Sequence, residues 1–294
     1  MQAETLGVLL VAAAFHAAVN LLLKQARDKL AFTWWLLGTS CLLWSPLLLF
    51  GLPRDAAGWE LITVSGLLEA AYFVTLARAY TLGDLSQVYP IARGSAPLFI
   101  VAWAGLFLEE KRSEVGLLGV ATIVAGIYLI NLPSLRDWKR PIVSFREPAA
   151  RWALLTGLFI SLYQIVDKVA VQHVDARPYL LLILSVAWLA LTPQWLHPAR
   201  RRALLDEVTP SKGRSARAIW LPLLVGALLG NASYLMVLRV LRSAPVTYVA
   251  PVREVSVVMG SWVAVRFFGE KGGAVRLTAS ALIVAGIALI SMRG

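Results

Sequence analysis

The sequence predicts an all-α integral membrane protein, in which about ten transmembrane helices form two inverted five-helix repeats. One observation behind this prediction is the apolar composition. Hydrophobic residues make up 59% of the 294 residues and charged residues only 15%, whereas a soluble domain contains about 25% charged residues. Apolar runs of about 20 residues recur along the chain, and a helix of that length crosses the ~30 Å hydrocarbon core of a bilayer.

The second observation is an internal repeat. Residues 89–130 align without a gap with residues 249–290, and roughly a third of the aligned positions are identical, far more than composition would give by chance. The aligned identities include Arg93 with Arg253, Glu110 with Glu270 and Lys111 with Lys271. The chain therefore contains one structural unit twice.

The individual spans follow from the apolar runs and from the Gly, Pro and charged residues that separate them. In chain order they are predicted at 5–24, 32–50, 59–80, 85–108, 114–131, 151–172, 178–196, 218–240, 245–268 and 273–292. Tryptophans often lie at the predicted ends, as expected for the aromatic belt at a membrane surface. We divide the chain into a first repeat at 1–131, a basic linker loop at 132–150 and a second repeat at 151–294.

Topology and orientation follow from the number of spans and from the basic loops. Because each repeat has an odd number of spans, the second repeat is expected to enter the membrane inverted, as in many transporters. Lys and Arg concentrate in the loops after the odd-numbered spans, above all in the linker and at 198–216. Basic loops face the cytoplasm, so both termini are predicted outside. We expect a multi-pass protein of the plasma membrane, the inner membrane of a bacterium.

Charge and cysteine content exclude several other classes. The net charge of +11 is explained by basic loops on one side of a membrane, and no nucleic-acid-binding pattern accompanies it, so we expect no nucleic-acid partner. The single cysteine, Cys41, excludes an internal disulfide and a cysteine metal cluster. The three histidines form no convergent ligand pattern, so we expect no metal and no cofactor. The N-terminus has no basic leader or cleavage site, so the first span is expected to be retained.

Polar side chains inside the apolar spans are the candidate functional residues. A charge near the bilayer centre costs several kcal/mol, so each one needs a partner or a function. They fall on spans one, three and four and on the equivalent spans six, eight and nine, so we predict that they line one central cavity. The candidates are His16, Asn20, Glu69, Tyr72, Arg93, Tyr163, Asp167, Asn231, Tyr234, Arg253 and Glu254.

Two alternatives apply to these residues. The polar groups can simply pair with one another and fix the bundle, and Asp167 with Lys168 can form an ordinary pair at headgroup level. Spans five and ten instead carry small residues such as Gly119 and Gly126. Small residues let helices approach closely, so we expect these spans to pack either between the halves or between the protomers of a homodimer.

Residue chemistry suggests roles for some candidates. Arg93 and Arg253 each follow a proline, where a helix loses a backbone hydrogen bond and bends, and arginine binds a carboxylate or phosphate through two parallel hydrogen bonds. Glu69 lies near the middle of its span and is the best proton carrier, because burial disfavours the charged carboxylate. We expect the two arginines to hold an anionic group, with Glu69 or Glu254 as the proton or ammonium partner.

These features resemble the drug/metabolite transporter superfamily, in its EamA-like branch, over essentially the whole chain. The resemblance rests on the doubled five-span unit, Pro90-x-x-Arg93, Pro251-x-Arg253, the Glu-Lys pairs, the run Val-Ala-Gly-Ile at 124–127 and 284–287, and the start His16-Ala17-Ala18-Val19-Asn20 with Lys24. That start is similar to the HAxWN…K opening of some members, with Val19 in place of tryptophan. The resemblance implies a ten-helix, gradient-driven carrier, often an exporter of amino acids, other metabolites or drugs.

The function we predict is secondary active export of a small polar metabolite such as an amino acid, by alternating access with proton or ion coupling. A flippase for a lipid-linked or phosphate-bearing substrate is the alternative within this class, and an intramembrane enzyme or a non-transporting receptor is the alternative outside it. No metal motif or nucleophile–base pair supports an enzyme, and without a Walker motif ATP is not the direct energy source.

The predicted orientation is tested with a reporter that fluoresces only in the cytoplasm, fused after Gly294. Because positive-inside reasoning places the C-terminus outside, the fusion should stay dark while the protein is inserted and stable. A bright fusion would reverse the orientation.

Overall fold

A computed structural model describes residues 3–83, 85–110, 113–130, 132, 147–210, 214–259 and 273–293. The regular structure of these ranges is helical, and its principal helices are α1 (Ala3–Lys24), α2 (Lys29–Leu43), α3 (Ala56–Leu82), α4 (Leu85–Phe107), α5 (Glu114–Ile130), α6 (Pro148–His173), α7 (Ala176–Leu191), α8 (Ala216–Leu241), α9 (Val246–Arg253) and α10 (Gly273–Arg293). By length and composition, α1, α3, α6, α7 with its continuation to Leu196, and α8 are each able to cross a membrane, and shorter apolar helices lie within α4, α5 and α10. The predicted all-helical membrane class is confirmed.

Short polar side chains at the helix starts explain where several helices begin. The first N–H groups of a helix have no partner within it, and a preceding Asp or Ser side chain accepts from them. Asp28 caps α2 in this way at 2.9 Å, Asp55 caps α3 at 2.9 Å, and Ser215 caps α8 at 3.2 Å. Each of these helices begins two or three residues before the predicted span.

The second and seventh spans differ from the predictions 32–50 and 178–196. In each, the α-helix ends early and a 3₁₀ turn containing a proline near its start follows, at Ser45–Phe50 and at Pro193–Leu196. Proline has no N–H to donate and clashes with the preceding turn, which is why neither α-helix continues.

The two proline-containing spans of the candidate site differ from each other. Helix α4 continues through Pro90 and Pro97, whereas α9 ends at Arg253, two residues after Pro251. The chain makes a turn at Glu254, whose N–H donates to the Pro251 carbonyl at 3.0 Å. The predicted remainder of span nine at 260–268, Lys111 and the second Glu-Lys pair lie outside the described residues.

Helices of the two halves pack mainly against each other. Helix α3 lies against α6 and α7, and α8 correspondingly lies against α1 and α2. Helix α4 contacts α6 as α9 contacts α1, and α5 contacts α10. The helices that carry the candidate residues are therefore held in place by the opposite half.

The two halves approach each other closely at α5 and α10. A methyl group added at Gly119 would lie 2.7 Å from the backbone oxygen of Gly286, and one added at Gly286 would lie 2.6 Å from the oxygen of Gly119. Ile123 and Ile283 are fully buried beside this contact. The small residues thus bring the two halves of one chain together, the first of the two arrangements that the sequence allows.

Replacing Gly119 with alanine should destabilise the fold. Because the new methyl group meets backbone that cannot rotate away, we expect a loss of about 1–3 kcal/mol, the usual cost of overpacking. The control is Gly7→Ala, where nothing lies within 4 Å of the added methyl group and helix propensity alone favours alanine by ~1 kcal/mol. Thermal unfolding of the purified protein in detergent measures both. Equal melting temperatures for Gly119→Ala and the parent would contradict this account of the contact.

Candidate functional site

The predicted polar residues form a buried cluster between the two halves. Seven of them are at most 8% exposed, namely Glu69, Arg93, Tyr163, Asp167, Asn231, Arg253 and Glu254. His16, Tyr72 and Tyr234 are half-buried and contact other members of the cluster. Asn20 is the exception, because no hydrogen bond in the described ranges joins this half-buried side chain to the others.

Arg93 joins the two halves through polar contacts. Its Nη1 donates to Glu254 Oε1 at 3.3 Å, and the two side chains form an ion pair with 10% and 8% of their surfaces exposed. Its Nη2 lies 3.2 Å from His16 Nε2. Because a guanidinium can only donate, Nε2 must accept, so the imidazole is neutral with Nε2 unprotonated. Arg93 is therefore neutralised by Glu254 and held in place by His16.

Asp167 is satisfied by three hydroxyl groups. Its Oδ1 accepts from Ser65 Oγ and from Tyr179 OH, both at 2.6 Å, and its Oδ2 accepts from the Tyr234 hydroxyl. Hydrogen bonds to an ionised carboxylate are about twice as strong as neutral ones. Asp167 is fully buried and Lys168 donates to backbone carbonyls of the second half instead, so the interpretation as a headgroup-level pair is wrong.

Arg253 has different surroundings from Arg93. Its guanidinium carbon lies 5.3 Å from the ring centroid of Tyr234, within the range of a cation–π contact. Among the described residues no hydrogen bond or ion pair to Arg253 is found. The ring that faces Arg253 thus belongs to a tyrosine whose hydroxyl group is held by Asp167.

The internal repeat explains this difference between the arginines. Arg93 pairs with Glu254, and the position that aligns with Glu254 in the first half is Gly94. The carboxylate that would pair with Arg253 by the same rule is therefore missing from the sequence. A methyl group added at Gly94 would have one neighbour within 4 Å, Ile127 Cγ2 at 3.9 Å, so space exists where that carboxylate would begin.

Four buried polar atoms near these groups lack a hydrogen-bond partner within the described ranges. They are Glu69 Oε2, Glu254 Oε2, Gln164 Oε1 and Asn231 Nδ2. An unsatisfied buried polar group costs ~1–3 kcal/mol, so each one needs an explanation. Glu69 also interacts electrostatically with Asp167 and Arg253. The cluster therefore offers open acceptors beside an arginine that makes no ion pair or hydrogen bond in the described ranges.

Tyrosine rings border the same region. The Tyr72 and Tyr163 centroids are 6.0 Å apart, with their planes at 61°. Tyr163 and Tyr234 are 6.4 Å apart at 78°. Such edge-to-face pairs fix ring orientation, and electrostatic interactions join Tyr72 to Arg93, Glu69, Glu254 and Arg253. The three tyrosine rings thus pack against one another beside the charged groups.

Three site residues are missing from the sequence-based candidates. Ser65 and Gln164 had a usable signal, because they lie one helical turn before Glu69 and Asp167 on the same helix faces. Tyr179 had none, since it lies at the predicted start of span seven, where an aromatic residue is expected at the membrane surface. Among the described residues no group of three His, Cys, Asp or Glu side chains is arranged to hold a metal ion.

Comparison with known proteins gives three matches. The model of the EamA-like transporter family matches residues 5–132 and 148–292. A relative from Sinorhizobium sp, described as "Uncharacterized transporter in cobO 3'region", is 30% identical over 147 residues, which are 48% of this chain and 94% of the relative. A solved crystal structure superposes with a TM-score of 0.72 over 99% of this chain and 98% of its own, and at 14% identity this likeness shows the fold alone.

Proposed function

The chain belongs to the EamA-like transporter family and is a membrane transporter, and from that premise we propose that it exports a zwitterionic metabolite of the amino-acid type in exchange for protons. We place it in the inner membrane of a bacterium. The proposal is carried by one observation, the buried Arg253 guanidinium that makes no ion pair or hydrogen bond among the described residues.

The carboxylate end of the substrate is assigned to Arg253. A buried cation without a counter-ion is costly in a membrane, and the guanidinium matches a carboxylate through two parallel hydrogen bonds. Arg93 is less suited to this role, because Glu254 already neutralises it at 3.3 Å. A substrate carboxylate at Arg253 would take the place that Gly94 leaves empty.

The ammonium end of the substrate is assigned to the open acceptors. An ammonium group has three donors and no acceptor, and Glu69 Oε2, Glu254 Oε2 and Gln164 Oε1 are acceptors without partners. A phosphate-bearing substrate would instead bring more negative charge toward these carboxylates and leave them unsatisfied. The open groups therefore favour a small zwitterion over the substrate of a flippase.

Proton coupling is assigned to Glu69. No hydrogen bond from the described chain holds this carboxylate, so it can accept either a proton or the substrate ammonium. Because one carboxylate cannot hold both, proton entry would favour release of the substrate on the outer side. The matched packing of α3 on α6 and of α8 on α1 supports two related halves that move against each other to expose the site alternately.

The change Arg253→Ala tests the substrate assignment. Removing one partner of a buried charge pair costs about 2–5 kcal/mol, so binding of a carboxylate substrate should weaken by that amount. Arg253→Lys should restore part of the loss, because an ammonium is a point charge without the planar fork. The control is Arg78→Ala, which removes an exposed arginine on α3. Calorimetric titration of the purified protein with amino acids measures the affinities. Unchanged affinity in Arg253→Ala would disprove the assignment.

The change Glu69→Gln tests coupling. The side chain keeps its size and one acceptor but cannot titrate, so it mimics the protonated carboxylate. Substrate binding should weaken and lose its pH dependence, substrate exchange at high concentration should persist, and accumulation driven by a pH gradient should be lost. Glu60→Gln, at an exposed position of the same helix, should leave both unchanged. Proteoliposomes with and without an imposed pH gradient separate the two activities. If Glu69→Gln accumulates substrate as well as the parent, Glu69 has a structural role only.

A further inference from the structure

Glu110, the glutamate of the Glu-Lys pair after span four, makes extensive contacts with the opposite half. Glu110 Oε1 accepts from the Val246 N–H at 2.8 Å. Its Oε2 accepts from the Thr247 N–H at 3.2 Å and from Thr247 Oγ1 at 2.7 Å. One carboxylate of the first half therefore binds the first turn of α9 in the second half.

These bonds replace a missing local cap. The first N–H groups of a helix have no intrahelical partner, and a negative charge near them interacts favourably with the helix dipole. The residue before α9 is Pro245, whose side chain makes no capping hydrogen bond. Glu110 supplies the cap from a distant part of the chain.

Other polar contacts stabilise the turn between α8 and α9, which we call the corner. Lys168 Nζ donates to the carbonyls of Leu241 at 2.7 Å and Ala244 at 2.9 Å, at the end of α8. The Ser113 N–H donates to the Tyr248 hydroxyl at 2.9 Å. The corner is thus fixed by α6 of its own half and by the segment that joins α4 to α5 in the other half.

Glu110 binds one end of α9, and Arg253, the arginine proposed to bind the substrate, lies at the other end. Helix α9 begins at Val246 and ends at Arg253, so at 1.5 Å per residue its ends are only about 10 Å apart. Val246, Val249 and Val252 are fully buried, and a short packed helix transmits a shift of its first turn to its last residue. Arg253 has no ion pair within the described ranges that would hold it independently.

We infer that Glu110 is a positioning residue, which sets the start of α9 and thereby places the Arg253 guanidinium for the substrate carboxylate. Glu110 itself does not touch the substrate. This inference rests on the proposed function, because it assigns Glu110 a role at the same anion site.

The test compares Glu110→Gln with the parent. The amide nitrogen of glutamine cannot accept from an N–H or a hydroxyl, so one half of the cap is lost at constant size. The ligands are the amino acid that stabilises the parent most in a thermal-shift screen of the twenty, and its methyl ester, which lacks the carboxylate. We expect the dissociation constant of the amino acid to rise roughly tenfold and that of the ester to stay within about twofold, because the ester does not depend on Arg253.

Four further measurements separate positioning from general stability. In the Arg253→Ala background, Glu110→Gln should cause no further loss of amino-acid binding, since both changes act through one group. Hydrogen exchange at the Val246 and Thr247 amides should accelerate in Glu110→Gln. The exposed neighbour Glu109 supplies the control Glu109→Gln, which should change neither binding nor exchange. Thr247→Val removes one of the three bonds and should give a smaller loss with the same selectivity, should Glu110→Gln fold poorly.

The outcomes are distinguishable. If the parent binds the ester as tightly as the amino acid, the anion site at Arg253 is wrong and the proposed function fails together with this inference. If the parent prefers the amino acid but Glu110→Gln weakens both ligands equally, or adds its loss to that of Arg253→Ala, only the inference is overturned. Glu110 would then stabilise the corner without placing the arginine.

Discussion

The cost of an unneutralised charge in the hydrocarbon core is the constraint on which this site depends. Arg93 is neutralised by Glu254, with which it forms an ion pair at 3.3 Å. Asp167 is stabilised by hydrogen bonds from three hydroxyl groups. Neither Arg253 nor Glu69 makes an ion pair or a hydrogen bond within the described chain. A polar cluster that served only to fix the bundle would be expected to pair all of its members. The two groups left open are therefore the ones that a substrate and a proton would complete.

The same constraint explains why the two halves interlock. The groups that stabilise Arg93 and Asp167 lie on other helices. The Arg93–Glu254 ion pair joins the two halves, and so do the hydrogen bonds between Glu110 and the start of α9. The contact between Gly119 on α5 and Gly286 on α10 holds the two halves close together. A relative movement of the halves would therefore change the polar site directly, which is the property that alternating access requires.

The fold was largely predictable, because hydropathy and repeated residues are local properties of the sequence. The cluster was predictable too, since polar groups in apolar spans stand out. Hydropathy did not predict the 3₁₀ ends of spans two and seven, which depend on single prolines. The cap of α9 by Glu110 and the bond from Tyr179 to Asp167 depend on tertiary contacts. The repeat aligns Gly94 with Glu254, which already indicates that the surroundings of Arg93 and Arg253 differ. Only the observed ion pair between Arg93 and Glu254 shows why this difference matters.

The difference between the surroundings of Arg93 and Arg253 provides the most direct test of the anion site. If Arg253 is open because Gly94 lacks a carboxylate, Gly94→Glu should supply an internal partner and abolish binding of carboxylate substrates, whereas the equally large but uncharged Gly94→Gln should reduce binding far less. Calorimetric titration of both variants with the same amino acid makes the comparison. Loss of binding in Gly94→Glu alone is the result we predict. Equal loss in both variants, or full binding in Gly94→Glu, would contradict an anion site at Arg253.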